Sequence, residues 1–224
     1  MTTHPQPSTP PTVALVLIAR NEAPIIERCL QSACNWVQFV LLQDTGSTDG
    51  TQEVVTQWLK SNKLPGKIME TPWEDFSWNR NLLLQQATQH APTDYVFMMD
   101  ADDELQIHHA ERFQASLASL HSDAGVLQIV HGKLVYPRIH VMKNNGQFKY
   151  RGVMHEFVQQ PPGAELQAIQ GASIRANCEG SRSKDPNKYR KDAATLVRAL
   201  TTETDPFHDR ALHLLPCPKP ARCP

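Results

Sequence analysis

The chain has 224 residues, of which 40% are hydrophobic and 20% are charged, and its formal net charge is −1. This composition is typical of a globular protein with one sizeable core, and it gives no electrostatic basis for binding nucleic acid or a membrane surface. No apolar run reaches the roughly 18 residues that a membrane-spanning helix needs.

The first eleven residues, MTTHPQPSTPP, contain neither a basic start nor an apolar stretch. They predict a disordered leader rather than a signal peptide. Five cysteines are scattered along the chain without metal-binding spacing, so reduced thiols in a cytoplasm are the expected state. The five are Cys29, Cys34, Cys178, Cys217 and Cys223. A cytoplasmic location without a transmembrane segment is therefore predicted.

From Thr12 onwards, short apolar runs alternate with amphipathic segments, which predicts an α/β domain. Residues 12–19 (TVALVLIA) are expected to form a central strand buried on both faces. Pro24 is placed to open the first helix. A second strand is expected to end at Asp44, and a second helix follows it.

The middle of the chain predicts a short strand at 67–70 (KIME) and then a helix capped by Ser77. Trp73 and Trp78 flank Phe76 in this region. We expect at least one of the two tryptophans to pack in the core rather than stack on a sugar.

The run at 94–99 (DYVFMM) predicts a strand that leads directly into Asp100, and a further helix is expected over 108–120. Beyond it, three segments predict strands of a more antiparallel second half. They are 125–130, 133–142 and 148–158.

Polar residues follow three of the predicted strands. The first strand ends in ARNE at 19–22, the second in DTGS at 44–47, and a later one in DADDE at 100–104. In open α/β sheets the carboxyl edge of the strands is where ligands bind. The sequence therefore predicts that these three turns form one site.

The DADDE turn places Asp100 and Asp102 one residue apart just past a buried strand. Such carboxylates suit Mg²⁺ or Mn²⁺, which would keep open positions for a diphosphate and neutralise charge on it. The alternative is an acidic turn that stabilises the start of a following helix.

Two other residues extend this expected site. Asp44 is placed where a carboxylate accepts hydrogen bonds from a base or a ribose, and the glycines at 46 and 50 permit the tight turn that such an approach needs. A helix-capping turn is its alternative interpretation. Arg80 is placed to reach a diphosphate or a base, with an exposed helical arginine as the alternative.

Four segments together resemble, in order and spacing, the catalytic domain of glycosyltransferase family 2. They are 18–33 (IARNEAPIIERCLQSA), 41–51 (LLQDTGSTDGT), 76–81 (FSWNRN) and 98–104 (MMDADDE), and 152–158 (GVMHEFV) is similar to the family's His-Glu segment. The resemblance implies a GT-A fold over residues 12–180, which is a Rossmann-like, mostly parallel sheet with a more antiparallel second half.

The resemblance implies a metal-assisted, inverting hexosyl transfer from a nucleotide sugar, expected to be uridine-linked, with Mn²⁺ or Mg²⁺ as cofactor. It also implies the residues that hold the base and the ribose. These are Ala19, Asn21, Glu22 and Asp44, with Arg80 nearby. Asp100 would face the ribose and the metal, and Asp102 would bind the metal at the diphosphate. Asp103 is an acid that many relatives lack, and it leaves the choice between Asp102 and Asp103 open.

His155 and Glu156 are the expected acceptor-side pair. An inverting transfer needs a carboxylate that takes the proton of the acceptor, and Glu156 is the candidate for that base. His155 is the candidate for a further contact with the metal or the diphosphate. Adjacent residues on a strand point to opposite faces, so both serve the site only if they lie on a turn. The alternative is that one of them only packs.

The end of the chain departs from the pattern. Residues 185–205 predict a helix that begins a helical region over 185–210, and relatives of this subtype often continue into tetratricopeptide-like repeats. Residues 211–224 (ALHLLPCPKPARCP) contain prolines that forbid a helix. One permitted coding of this peptide, shifted by one base, encodes an amphipathic helix. We therefore expect an out-of-frame tail and a truncated helical region.

Two other functions compete with transfer. One is a catalytically impaired, truncated remnant that binds a nucleotide without turnover. The other is a sugar-phosphate nucleotidyltransferase, which ranks low because the chain lacks the glycine-rich start with the arginine and lysine that this chemistry uses. The acceptor stays open among a glycan, a lipid, a peptide and a small molecule, because fold and family do not choose among them.

Overall fold

The computed structural model describes residues 10–201. Most of the predicted leader (1–11) and all of the predicted out-of-frame tail (211–224) lie outside this range. The strands are β1 (Val13–Ala19), β2 (Phe39–Asp44), β3 (Gly66–Glu70), β4 (Tyr95–Asp100), β5 (Glu104–Ile107), β6 (Ala124–His131), β7 (Leu134–Lys143), β8 (Lys149–Arg151), β9 (Phe157–Gln159) and β10 (Leu166–Arg175). The α-helices are α1 (Ile26–Ala33), α2 (Thr51–Asn62), α3 (Phe76–His90), α4 (Ala110–Ala118) and α5 (Lys188–Thr201).

The main sheet has eight strands in the order β3-β2-β1-β4-β7-β6-β10-β5, and β8 pairs with β9 in a separate ribbon. Strands β3, β2, β1 and β4 are parallel to one another. Antiparallel pairs follow, between β4 and β7, β7 and β6, and β10 and β5. The predicted α/β architecture, with a parallel first half and a more antiparallel second half, is confirmed.

The register of the parallel strands brings the polar turns together. Ala19 pairs with Asp44, and Ile18 pairs with Asp100, so β1, β2 and β4 end at one edge. Helices α1 and α3 cover opposite faces of the sheet, and β1 is buried between them as predicted. Leu15 in β1 is 0% exposed and belongs to the core beneath the first helix. Its replacement by alanine is expected to cost about 2–5 kcal/mol of stability.

Strand β10 and the short strand β5 were not predicted. The helix expected over 108–120 is α4 (Ala110–Ala118), which begins later than expected because the residues before it bind to β10. Backbone amides of His108 and His109 donate to the carbonyl oxygen of Gly171 in β10, and His109 has an extended backbone as the N-cap of α4, so the helix begins at Ala110. Gly171 has a φ of +85°, and a Cβ there would lie 2.5 Å from the carbonyl oxygen of His109. Only glycine permits this close approach of β10 to the start of α4.

The prediction that Ser77 caps α3 is wrong. The N-cap is Asp75, whose Oδ1 accepts hydrogen bonds from the backbone amide of Trp78 at 2.8 Å and from the Ser77 hydroxyl at 2.9 Å. A carboxylate near a helix start also interacts favourably with the helix dipole. Asp75 therefore fixes the beginning of the helix that carries Arg80.

Helix α5 confirms a helix after residue 185, within the part of the chain that is described. Its Leu196 is buried and packs against Met154 and Val153, so the helix has a packing partner in the segment between β8 and β9. Tyr189 and Val197 stay exposed. None of the helices described between residues 10 and 201 has the length and apolarity to cross a membrane.

Candidate functional site

The first two polar turns are held together by hydrogen bonds. The Asn21 side-chain oxygen accepts from the Thr48 amide at 2.8 Å, and the Asn21 amide donates to the Ser47 hydroxyl at 2.9 Å. The Glu22 amide donates to the Thr51 hydroxyl at 2.9 Å. Asn21 adopts a left-handed φ of 58°, which asparagine tolerates better than most residues. Asn21 therefore shapes the edge of the site.

Asp44 is fully buried at the end of β2. Its Oδ1 accepts hydrogen bonds from the amides of Gly46 at 2.9 Å and Ser47 at 2.8 Å. Its Oδ2 is buried and has no hydrogen-bond partner among the described residues. A buried acceptor without a partner costs about 1–3 kcal/mol, so this oxygen fits a ligand that donates a hydrogen bond.

Arg80 joins two carboxylates from opposite sides of the site. It is 4% exposed, which excludes the interpretation as an exposed helical arginine. One of its terminal nitrogens lies 2.6 Å from Oδ1 of Asp100, and its Nε lies 2.8 Å from Oε1 of Glu156. The ring of Tyr150 packs beneath the guanidinium, with 5.2 Å to the ring centroid. Partial burial acts to raise the pKa of Asp100, but Arg80 outweighs it and the pKa is lowered.

Asp102 and Asp103 have different surroundings. Asp102 is half-buried, and its Oδ2 accepts a hydrogen bond from the Gly180 amide at 3.0 Å. Asp103 is only 6% exposed. Burial, followed by the negative charges of Asp100 and Asp102, raises the pKa of Asp103 to about 8. Asp102 is the more accessible of the two carboxylates, and this exposure favours Asp102 as the metal ligand.

Glu22 is tied to a second segment beyond the sheet edge. Its Oε1 accepts from the Ser181 amide at 3.0 Å and from the Ser181 hydroxyl at 3.2 Å. Burial raises the pKa of Glu22, although the hydrogen bonds from Ser181 oppose the shift.

His155 and Glu156 lie in a turn before β9, the geometry that lets both face one cleft. His155 has a left-handed φ of 51° and is exposed, whereas the Glu156 side chain is 9% exposed. Both line a cleft of about 1050 Å³ together with Arg80, Asp100 and Arg138. Arg138 lies 3.6 Å from Oε1 of Glu156 and was not predicted from the sequence.

A second cleft of about 620 Å³ adjoins the first and is lined by the turn at 19–22. Trp73 and Phe76 form its aromatic side, with ring centroids 4.9 Å apart in an edge-to-face arrangement. Trp73 is 37% exposed and Trp78 is 42% exposed. The expectation that one of these tryptophans packs in the core is wrong, because α3 buries its leucines and leaves Trp78 outside.

The residues present fit a divalent cation only in part. Within residues 10–201, no three His, Cys, Asp or Glu side chains are grouped so that they could hold a metal ion by themselves. Asp102 offers the oxygen ligand that Mg²⁺ and Mn²⁺ prefer, and such ions commonly take their other ligands from phosphates and water. The donor set therefore fits a cation that arrives with a diphosphate.

Segment 177–182 is the part of the site that sequence reasoning missed. Ser181 and Arg182 line the smaller cleft, and Arg182 stacks over the Phe76 ring at 4.6 Å. The one available signal was the short polar run GSRSK at 180–184, which gives no indication of its partners more than 75 residues away.

Comparisons with known proteins agree with this geometry. The family described as "Glycosyl transferase family 2" matches residues 14–176. A TPR repeat-containing protein of Synechococcus elongatus is 29% identical over 203 residues, which cover 85% of this chain and 47% of that protein. The lipopolysaccharide core biosynthesis glycosyltransferase LpsC of Rhizobium meliloti is 29% identical over 89 residues, covering 40% of this chain and 31% of that protein. The chain thus spans less than half the length of these relatives.

Solved structures share the fold. S. aureus TarS 1–349 in complex with UDP-GlcNAc superposes with a TM-score of 0.57 at 14% identity, covering 89% of this chain and 69% of that one. The mannosyltransferase PcManGT from Pyrobaculum calidifontis, in complex with GDP-Man and Mn²⁺, superposes with a TM-score of 0.51 at 17% identity, covering 95% of this chain and 72% of that one. At such identities the likeness shows the GT-A fold.

Proposed function

The chain belongs to glycosyltransferase family 2, and on that premise we propose that it transfers a hexosyl group from a nucleotide sugar to an acceptor with inversion. The observation that carries the proposal is a group of carboxylates around one sheet edge. Strand β2 ends in Asp44 and β4 in Asp100 at that edge, and Arg80 links Asp100 to Glu156, which lines the larger of two adjoining clefts. We assign the smaller cleft to the nucleotide and the larger one to the transferred sugar and the acceptor.

Asp44 supports the nucleotide assignment. Its buried Oδ2 lacks a partner among the described residues and suits an N–H of a base or a hydroxyl of a ribose. A uracil offers such an N–H, as does a guanine, and a UDP-sugar is the proposed donor because S. aureus TarS, which has a similar fold, is in complex with UDP-GlcNAc. The residue after Asp44, Thr45, lines the smaller cleft together with the turn of Ala19, Asn21 and Glu22, and Trp73 offers an aromatic face there.

Asp102 is the proposed ligand of a divalent cation, with Asp100 beside it. Asp102 is half-buried whereas Asp103 is 6% exposed, and the more accessible carboxylate is the one proposed. A bound Mn²⁺ or Mg²⁺ would supply positive charge to the departing diphosphate. The exposed His155 is a proposed further contact with the metal or the diphosphate. The chain's own ligands are few, so we expect tight cation binding only in the presence of the nucleotide.

Glu156 is the proposed general base. Arg80 and Arg138 both contact its Oε1, which fixes the side chain and leaves Oε2 as the oxygen that takes the acceptor proton. Positioned bases typically contribute about 10²–10⁴-fold to a rate. Arg80 acts in this proposal as a positioning residue, because its two close contacts are with Asp100 and Glu156.

A panel of nucleoside diphosphates tests the donor assignment. Ligand at about 100 times its Kd stabilises a protein by about 2.7 kcal/mol, so a matching nucleotide with Mn²⁺ should raise the Tm by several degrees. Asp44→Ala should abolish the rise, and Asn35→Ala, at the opposite edge of the sheet, should retain it. If no nucleoside diphosphate raises the Tm of the wild-type chain, the proposal fails.

A further inference from the structure

A short segment that follows β10 holds the proposed metal-binding carboxylate. We call residues 177–181 the clamp segment. It begins one residue beyond 176, where the match to the family ends. Asn177, Gly180 and Ser181 of this segment bind residues of the site that are separated from them by 75 positions or more along the chain.

Asp102 is held by the clamp segment at both its backbone and its side chain. The Asn177 side-chain nitrogen donates to the carbonyl oxygen of Asp102 at 3.1 Å, and the Gly180 amide donates to Oδ2 of Asp102 at 3.0 Å. Arg28 also donates to this carbonyl at 3.4 Å, and it forms an ion pair with Glu179 of the clamp segment at 2.8 Å. The peptide and the carboxylate of Asp102 are thus fixed together.

The same segment is packed closely against Glu22. A Cβ at Gly180 would lie 3.1 Å from Oε1 of Glu22 and 3.3 Å from Oδ2 of Asp102. The next residue, Ser181, donates its amide to Glu22 and its hydroxyl to the carbonyl oxygen of Arg20 at 2.7 Å. The clamp segment therefore connects the first polar turn to the DADDE turn.

We propose that the clamp segment is the positioning element of Asp102. Its hydrogen bond to Oδ2 fixes the rotation of the carboxylate, so that Oδ1 faces the cation that arrives with the diphosphate. Carboxylates that bind metals are themselves commonly hydrogen-bonded, and loss of such partners typically lowers metal affinity about 10–100-fold. The inference rests on the proposed function, because it assumes that Asp102 binds the cation.

The alternative is an inhibitory role, in which the Gly180 amide competes with the cation for the carboxylate of Asp102. The two roles predict opposite changes in cation-dependent nucleotide binding when the clamp contacts are lost. Loss of the clamp contacts weakens cation-dependent nucleotide binding if the segment positions Asp102. Loss of the same contacts strengthens that binding if the segment blocks Asp102.

The test uses the whole chain and calorimetric titration with UDP or GDP, whichever the wild type binds more tightly, in Mn²⁺ and in EDTA. Asn177→Ala removes a side-chain donor, and Asn35→Ala is the matched control. Gly180→Pro removes the backbone donor at a φ of −57°, which proline adopts, and Gly180→Ala keeps the donor while adding a Cβ.

We expect Asn177→Ala and Gly180→Pro to bind the nucleotide about 10-fold more weakly in Mn²⁺ and equally well in EDTA. Gly180→Ala should lose less than Gly180→Pro, and Asn35→Ala should match the wild type. Melting curves without ligand verify folding, and Asn177→Ala carries the test if the proline variant does not fold.

Unchanged or tighter Mn²⁺-dependent binding in Asn177→Ala would overturn the positioning role. If Mn²⁺ fails to strengthen nucleotide binding in the wild type, the proposed function fails and the inference fails with it. The two failures are distinguishable, since one is seen in the wild type and the other only in the variants.

Discussion

Replacing Arg80 by methionine should destabilise the fold, because it removes the closest counter-charge of Asp100 and Glu156 and leaves only the more distant Arg138. The side chains of Arg80 and Glu156 are 5% and 9% exposed, whereas that of Asp100 is 45% exposed. Breaking a buried ion pair by removal of one partner costs about 3–5 kcal/mol. Water reaches Asp100 and reduces its share, so we expect a loss near the lower figure, about 3 kcal/mol.

The stability that Arg80→Met loses should be larger near neutral pH than in acid. Arg80 helps to lower the pKa of Asp100 in the folded chain, so this contribution is present above the unfolded pKa of about 3.9 and is lost as the pH falls through the folded pKa. The stability difference between wild type and Arg80→Met should therefore be greatest near neutral pH and should shrink below about pH 4.

Thermal melts measure this difference. For a domain of this size, about 3 kcal/mol corresponds to a Tm lowered by roughly 6–12 °C. Arg80→Lys keeps the charge without the forked geometry of the guanidinium, so its Tm should lie between those of the wild type and Arg80→Met. Arg190→Met, at an exposed position on α5, is the control and should keep the wild-type Tm. A Tm that is unchanged at pH 7, or lowered equally at pH 7 and pH 3.5, would refute the reasoning.

The remaining predictions concern ligands and turnover. Asp102→Ala should lose the gain in nucleotide affinity that Mn²⁺ provides, and equal gains in variant and wild type in a calorimetric titration would contradict its role as a metal ligand. Glu156→Gln should lower transfer about 10²–10⁴-fold yet bind the donor nearly as well as the wild type. A variant that keeps most of its transfer rate would show that the base lies elsewhere. Asp44→Asn keeps the volume of the side chain and should weaken nucleotide binding equally with and without Mn²⁺; a loss confined to Mn²⁺ would contradict a contact with the base or the ribose.

The parallel half of the fold and its polar edge could be predicted because their signals are local. Strands β1, β2 and β4 are strongly apolar, and each ends at the residue where its polar turn begins. Parallel neighbours in one register then bring Asp44 and Asp100 to the same edge without further information. The turn before β9 was likewise the condition stated for His155 and Glu156 to face one cleft.

The rest depended on partners that are distant in sequence. Strand β10 (LQAIQGASIR) contains glutamines, alanines and a glycine, which have weak strand preference, and it forms because β6 and β5 flank it. The contacts that Arg80, Arg138 and Gly180 make to carboxylates span from 18 to 78 positions along the chain. Residue type alone indicated that Arg80 would find an anion, but it did not identify Asp100 and Glu156 as those anions.

Turnover of labelled nucleotide sugars tests the central claim most directly. The wild-type chain would be incubated with a panel of UDP- and GDP-sugars, Mn²⁺ and an array of glycan, lipid, peptide and small-molecule acceptors, and both nucleoside diphosphate release and labelled product would be measured. We predict transfer from one class of donor, most of it lost in Glu156→Gln and in EDTA. Nucleotide binding without transfer from any donor to any acceptor would contradict the account, and it would leave the chain as a nucleotide-binding remnant.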